Sequence, residues 1–163
     1  MSFVNTVDLV GDEVLAARII DKSITEIADN ISQKIGDFAF INCNALTKVD
    51  FRAATSVGHN AFRSTTLSTV DLYSATTIEN SFGYCSALKT LILRGGTVCA
   101  LTNTNALNGT AIANGNGYIY VPSSLVNAYK GATNWSSKAA QFRALEDYTV
   151  DGTITGELDE AKI

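Results

Sequence analysis

A pattern of apolar residues recurs along the middle of the chain with a period of about 21 residues. The stretch "IGDFAFINCNALTKVDF" begins at Ile35, and related stretches begin at Val57 and Ile78. Three sets of residues keep this phase: Leu46, Leu67 and Leu88; Val49, Val70 and Leu91; Phe51, Leu72 and Leu93. Ile24 and Ile27 lie 22 residues before the first members of two of these sets, as a degenerate first copy. Self-similarity at this period predicts a stack of similar structural units.

Each unit is predicted to contain one short strand and a return segment. The L-x-x-L-x-L part gives a strand whose apolar side faces inward. The return carries its own apolar residues, Phe40, Phe62 and Phe82, with Ile35, Val57 and Ile78 in front of them. No unit can bury its hydrophobic face alone, so stacked neighbours must supply the missing wall. We therefore predict a solenoid of four recognisable units, at residues 24–34, 35–56, 57–77 and 78–97.

The repeat also carries a family signature. The segment "IGDFAFINCNALTKV", with its I-G-x-x-A-F-x-x-C-x-x-L pattern, resembles the BspA-type leucine-rich repeat of bacterial surface proteins and of phage or prophage proteins. The resemblance covers about residues 24–145. Two departures, "RSTTL" in the second copy and the shorter "IENSF" in the third, are interpreted as loop variation. The resemblance implies a leucine-rich-repeat solenoid, mainly parallel β with short helical or irregular returns and small α caps at both ends.

The chain divides into four predicted parts. Residues 1–23 are predicted to form an N-terminal cap, with a helix from about Asp12 to Ile20. Residues 24–97 hold about four coils, and residues 98–148 hold a degenerate last coil and a helical C-terminal cap. Residues 149–163 form a polar tail or a hairpin, because a D-G turn lies between short β-favouring runs.

The C-terminal cap is predicted in more detail. Residues 118–121 read as a final strand, and a helix is expected after Pro122 with Ser123 or Ser124 as its N-cap. Trp135, Ala139 and Phe142 recur at i, i+4 and i+7, which predicts a second short helix.

The residues that could carry chemistry are sparse. His59 is the only histidine, and it occupies a turn position that predicts solvent exposure. Cys43, Cys85 and Cys99 are an odd number without metal-binding spacing, and Cys43 and Cys85, two repeats apart, are expected to lie beyond disulfide distance, so we expect neither a cofactor nor a metal. Asp50 and Asp71 align in the repeat and come closest to a carboxylate pair, but the row does not continue. We predict a protein that is not an enzyme.

Charge and hydropathy limit the partners and the location. The net charge is −4 and no Lys/Arg cluster exists, which argues against nucleic acid. No window approaches the ~18 uncharged apolar residues of a membrane span, so membrane insertion is not expected. The first 20 residues lack the basic start of a signal peptide. We expect synthesis in the cytoplasm, and the resemblance implies a bacterial cell surface or a virion.

One surface remains as a candidate binding site. Side chains alternate across a strand, so the residues between the inward apolar ones point to the concave side. We call this row the strip; it consists of Lys48, Asp50, Arg52, Thr69, Asp71, Tyr73, Thr90, Ile92 and Arg94. Its mixed charged and aromatic character suits a host-surface protein or a glycan, although a merely solvated sheet face would look the same. The resemblance implies non-catalytic recognition or adhesion through this face. The alternative is a structural component of a phage virion or bacterial surface assembly, with other subunits as partners.

Overall fold

The computed structural model describes residues 22–148 and, outside them, four two-residue strands. In chain order the strands are Phe3–Val4 (β1), Val14–Leu15 (β2), Glu26–Ala28 (β3), Lys34–Ile35 (β4), Lys48–Asp50 (β5), Ser56–Val57 (β6), Thr69–Leu72 (β7), Thr77–Ile78 (β8), Thr90–Leu93 (β9), Ala100–Leu101 (β10), Tyr118–Val121 (β11), Phe142–Ala144 (β12), Thr149–Val150 (β13) and Thr153–Ile154 (β14). One α-helix is described, α1 at Val126–Gly131, with short 3-10 turns around it and at Thr104–Leu107.

The strands of successive repeats pair in parallel, as expected for a repeat fold. We call the side of the molecule that carries the L-x-x-L-x-L strands the front side, and the side that carries the return segments the return side. On the front side the strands form the sheets β1-β3-β5 and β7-β9-β11-β12. The front register places Val70 opposite Leu91, and Leu91 opposite Ile119. These inward residues are buried, which confirms the repeat alignment made from the sequence.

The return side is more regular than predicted. Instead of helical or irregular returns, it forms a second parallel sheet with the order β10-β8-β6-β4-β2. Ile35 pairs with Val57, and Val57 with Ile78. Each of these strands is only two residues long, so one buried apolar residue per repeat is their only sequence signal.

Stacked phenylalanines fill the space between the two sides. Phe62 lies between Phe40 and Phe82, with ring centroids 5.3 and 5.6 Å apart and the rings within 9° and 4° of parallel. All three are fully buried. The predicted ladder is therefore present, and Phe51 packs against two of its rings at 5.8 and 6.1 Å.

Small hydroxyl side chains link neighbouring repeats. Each donates a hydrogen bond to a backbone carbonyl about one repeat earlier in the chain. The donors and acceptors are Thr47 to Thr25, Thr55 to Gln33, Thr66 to Leu46, Ser74 to Arg52 and Thr76 to Thr55. This pattern explains why a chain with only 17% charged residues is rich in Thr and Ser.

The predicted N-terminal helix is wrong where the structure can be compared with it. Val14 and Leu15 lie in strand β2, paired with Lys34 and Ile35, and not in a helix. The pairing adds one more rung to the return sheet. The rest of the predicted helix lies outside the described residues.

The C-terminal cap contains strand β11, as predicted, but differs from the prediction after Pro122. A 3-10 turn begins at Ser123, with Pro122 in the capping position and no side-chain cap, so neither serine is the N-cap. The predicted second helix is present as a 3-10 helix at Ser136–Gln141, but it ends before Phe142, which lies in strand β12 and pairs with Ile119. The i, i+4, i+7 spacing arises because Trp135 and Phe142 both pack on Tyr129.

Two buried hydrogen bonds hold the cap on the last repeat. The Cys99 amide donates to Tyr129 Oη at 2.7 Å, and Trp135 Nε1 donates to the Cys99 carbonyl at 2.7 Å. Asn134 Nδ2 donates to the Leu101 carbonyl at 2.6 Å. Three side chains of the cap thus form hydrogen bonds with backbone groups of Cys99, just before β10, and of Leu101, in β10. Beyond the cap, β13 and β14 pair antiparallel, as in the hairpin that the D-G turn suggested.

Candidate functional site: the strip on the front sheets

The repeats place the strip along the outer faces of β5, β7 and β9. Lys48 is exposed, whereas Asp50, Thr69, Asp71 and Thr90 are half-buried. In the register, Thr69 lies opposite Thr90. The strip residues of β7 and β9 therefore lie on paired strands, whereas Lys48 and Asp50 lie on β5 in the other front sheet. Arg52, Tyr73 and Arg94 follow the ends of their strands.

An ion pair fixes the centre of the strip. Arg94 donates to both carboxylate oxygens of Asp71, through Nε at 2.7 Å and Nη2 at 2.8 Å. The Arg94 side chain is only 7% exposed. A bidentate, largely buried pair has little freedom to reorient, so it forms a rigid floor and is not available as a loose charge.

Tyr73 lies between two arginines. The Arg52 and Arg94 guanidinium carbons lie 4.6 and 4.8 Å from the centre of its ring. Its hydroxyl is buried and has no hydrogen-bond partner. Burial, followed by the nearby Asp71 carboxylate, raises the pKa of Tyr73. The hydroxyl therefore stays protonated.

The remaining charges of the strip are more exposed. Arg52 Nε lies 3.3 Å from Asp50 Oδ1, and Lys48 Nζ lies 3.9 Å from Glu26 Oε1. Exposed pairs of this kind contribute little to stability, so Lys48 can turn to a partner at low cost, whereas Arg52 is also stacked on Tyr73. A cleft of about 230 Å³ lies among them, lined by Lys48, Val49, Asp50, Arg52, Asp71 and Tyr73.

Ile92 does not belong to an accessible surface, and this corrects the prediction. It is 1% exposed because Tyr148 packs on it together with Tyr120 and Leu145. The Tyr120 and Tyr148 rings meet edge to face at 4.9 Å. The C-terminal segment thus covers the strip at Ile92 on β9. We call the uncovered residues the open half: Lys48, Asp50, Arg52, Thr69, Asp71 and Tyr73.

Sequence reasoning missed the continuation of the surface onto β11 and β12. Tyr118 pairs with Thr90 in the register and is 43% exposed. The Arg143 guanidinium lies 4.5 Å from the Tyr118 ring centre. Extending the repeat alignment across the long loop before β11 would have found Tyr118.

The geometry gives no support to acid–base chemistry in the strip. Asp50 and Asp71 each face an arginine, Arg52 and Arg94, and not each other. His59 is exposed, as predicted, and its ring meets Phe38 edge to face at 5.7 Å. Within the described part of the chain, no group of three or more His, Cys, Asp or Glu residues could hold a metal ion.

The cysteines are buried parts of the stack. Cys43, Cys85 and Cys99 form no disulfide with one another. Burial raises the pKa of Cys85, and it raises that of Cys99 to about 12. Cys85 Sγ donates to the Phe62 carbonyl at 2.8 Å, which links one repeat to the next. These two thiols are protonated near neutral pH and serve packing.

Comparison with known proteins identifies the repeat. The sequence profile of the BspA type Leucine rich repeat region matches residues 19–135, in six copies. The match extends beyond the four units recognised from the sequence and takes in the cap up to Trp135. No curated protein and no solved structure matches the chain. No helix in the part that the structure describes is long and apolar enough to cross a membrane.

Proposed function

Because the chain belongs to the BspA-type leucine-rich repeat family, we propose that it is a non-catalytic recognition or adhesion module that binds a protein or a glycan through the open half of the strip. Leucine-rich repeats suggest a protein-interaction or adhesion-type module, typically non-catalytic and typically extracellular or on a surface. We further propose that the repeats form a solenoid with the front strands on its concave side, and that the strip on these strands is the contact surface. The proposed location is a bacterial cell surface or a virion.

One observation carries the proposal: the cleft of the open half combines fixed and adjustable groups. The Tyr73 ring and Asp71, whose carboxylate is held in place by Arg94 from outside the cleft, form a rigid floor. Lys48 and Arg52, with side chains 74% and 44% exposed, supply donors at its rim. A rigid centre with an adjustable polar rim is typical of protein recognition surfaces, and paired charges beside an aromatic ring also suit sugar hydroxyls.

A binding comparison tests the proposal. The wild-type protein and Lys48→Ala/Arg52→Ala are applied to a glycan array and to an array of surface proteins. We expect the wild type to be retained on one of them and the double variant to be retained at least about tenfold more weakly, because two charge-assisted hydrogen-bond donors are lost.

The matched control is Lys130→Ala/Lys138→Ala, which removes the same charge from the C-terminal cap. Equal retention of the two double variants would contradict a role of the open half. Retention of the wild type on neither array would contradict recognition of a protein or a glycan.

The second candidate is a structural role in a virion or surface assembly, and the position of β12 favours it. β12 is the last strand of its front sheet, and an outer strand can pair with a strand of another chain. Light scattering at rising concentration separates the two functions. Reversible self-association that Arg143→Pro in β12 abolishes would favour assembly, whereas a monomer at all concentrations would oppose it.

A further inference from the structure

A second surface lies on the turns that lead from the return side to the front strands. We call it the turn ridge; it consists of Phe38, His59, Asn60, Arg63 and Tyr84. Backbone hydrogen bonds stack these turns: the Phe38 amide donates to the His59 carbonyl at 2.9 Å, and the Tyr84 amide donates to the Asn108 carbonyl at 2.7 Å. The ridge spans three successive repeats and shares no residue with the strip.

The backbone of the ridge is strained at two aromatic residues. Phe38 and Asn60 occupy one repeat position at φ of 62° and 55°, and Asn42, Ser64 and Tyr84 occupy another at 62°, 61° and 61°. This left-handed region tolerates asparagine but disfavours bulky side chains. Asparagine serves at both positions in neighbouring repeats, so the fold does not require an aromatic ring at either.

The two rings also contribute little to the core. Phe38 is 40% exposed and Tyr84 is 57% exposed. A strained residue whose side chain points to solvent is a mark of a functional position. Folding therefore does not explain why phenylalanine and tyrosine stand here, whereas contact with a partner does.

Neighbouring residues hold the Tyr84 ring in a defined place. The Arg63 guanidinium carbon lies 4.5 Å from the ring centre. Gly109, at φ of 77°, leaves room for the ring, because a Cβ there would lie 2.8 Å from Tyr84 Cδ1. The stacked pair of Arg63 and Tyr84 is thus prearranged by the repeat that follows it.

Arg63 differs from the arginines of the strip in what it binds. Arg94 stacks on Tyr73 and holds the Asp71 carboxylate with two hydrogen bonds. Arg63 stacks on Tyr84 in the same way, but within residues 22–148 its guanidinium has neither an ion pair nor a hydrogen bond. The arrangement that binds a carboxylate in one place is repeated in another without the acid.

We propose that the turn ridge binds an acidic peptide segment, whose carboxylate pairs with Arg63 and whose flanking apolar side chains pack on Phe38 and Tyr84. The planar guanidinium backed by a ring fits a carboxylate in bidentate fashion. Phe38 and Tyr84 lie two repeats apart, which is about 10 Å along the stack at one strand spacing per repeat, and they occupy different positions of the turn, so an extended peptide needs at least about three residues to span them. The proposal goes beyond recognition through the strip and does not depend on it.

The test uses the full chain and a fluorescein-labelled peptide, Gly-Leu-Glu-Asp-Leu-Gly, followed by fluorescence anisotropy. We expect saturable binding that Arg63→Gln weakens about tenfold, because a charge-assisted pair is lost. Tyr84→Asn should weaken it as well while keeping the left-handed backbone, so the fold is preserved. Arg52→Gln is the matched control and should leave binding unchanged, which separates this proposal from the strip.

Four results would overturn the proposal. They are the absence of saturable binding up to about 1 mM, a range typical of weak contacts; equal binding of the amide peptide Gly-Leu-Gln-Asn-Leu-Gly; unchanged binding by Arg63→Gln; and tighter binding of a hexuronate oligosaccharide than of the peptide. The last result would assign the ridge to an acidic glycan. The thermal unfolding temperature of each variant is measured as well. A temperature equal to that of the wild type shows that a loss of binding is not caused by a loss of fold.

Discussion

At the scale of single residues, the stack depends on side chains that recur at one position in successive repeats. Phe62 illustrates this, because its ring lies parallel between Phe40 and Phe82 and is fully buried. Cys85 occupies the slot of Cys43 two repeats on and donates to the Phe62 carbonyl. A substitution at such a position therefore disturbs the packing of the repeats on both sides.

Phe62→Ala should lower the free energy of unfolding by about 3 to 5 kcal/mol, since a cavity replaces a fully buried ring. Urea denaturation followed by circular dichroism measures the change. Phe38→Asn is the matched control, because Phe38 is exposed and its left-handed backbone suits asparagine. The control should be as stable as the wild type or more so. A similar loss of unfolding free energy in both variants would show that burial in the stack does not determine the destabilisation.

At the scale of strands and turns, the sequence predicts what repeats and misses what depends on distant contacts. The 21-residue spacing placed the front strands and the phenylalanine ladder correctly, because apolar periodicity records which side faces inward. The two-residue return strands were missed, since each has one apolar residue, such as Ile35, as its signal. The predicted second helix is a 3-10 helix at Ser136–Gln141, and Phe142 lies beyond it in strand β12. Its helix-like spacing from Trp135 arises because both residues pack on one tyrosine.

The candidate site was predicted only in part for the same reason. The repeat alignment placed Asp71 and Thr69 on the strip, but nothing near Ile92 in the sequence indicates that Tyr148 covers it. The stacking of Arg52 and Arg94 on Tyr73 also joins residues one repeat apart. Contacts between the side chains of different repeats cannot be predicted from sequence spacing alone.

The attachment of the C-terminal cap should depend on pH through Tyr129. Burial raises the pKa of Tyr129 to about 12, from an ordinary value of 10. A raised pKa favours the neutral form in the folded state, so this contribution to stability is complete below pH 10. It is lost as the pH rises from 10 towards 12. The buried Cys99 thiol adds a similar loss that begins near pH 9.

Tyr129→Phe should remove the part of this pH dependence that begins at pH 10. At pH 7 the variant should lose about 1 to 3 kcal/mol, because the Cys99 amide is left without its acceptor. Urea denaturation at pH 7, 10 and 11 measures both effects. Should the variant lose as much stability as the wild type between pH 10 and 11, the buried hydroxyl would not be the group responsible.

At the scale of the whole molecule, the repeats present two chemically different surfaces. The front sheets carry the open half of the strip, with a cleft beside Tyr73, and the C-terminal segment covers the neighbouring part through Tyr148. The turns carry the turn ridge, with an arginine that lacks an acid among the described residues. The proposed recognition through the strip and the proposed binding of an acidic peptide can therefore be tested separately.

The most direct test of recognition through the strip is site-specific photo-crosslinking. A benzophenone amino acid replaces Thr69, in the open half, or Thr102, which is exposed beyond strand β10 on the return side. Each protein is bound to the glycan or surface protein that retains the wild type and is then irradiated. Adducts formed from position 69 and not from position 102 are the predicted result. Adducts from position 102 alone, or equally from both positions, would contradict recognition through the strip.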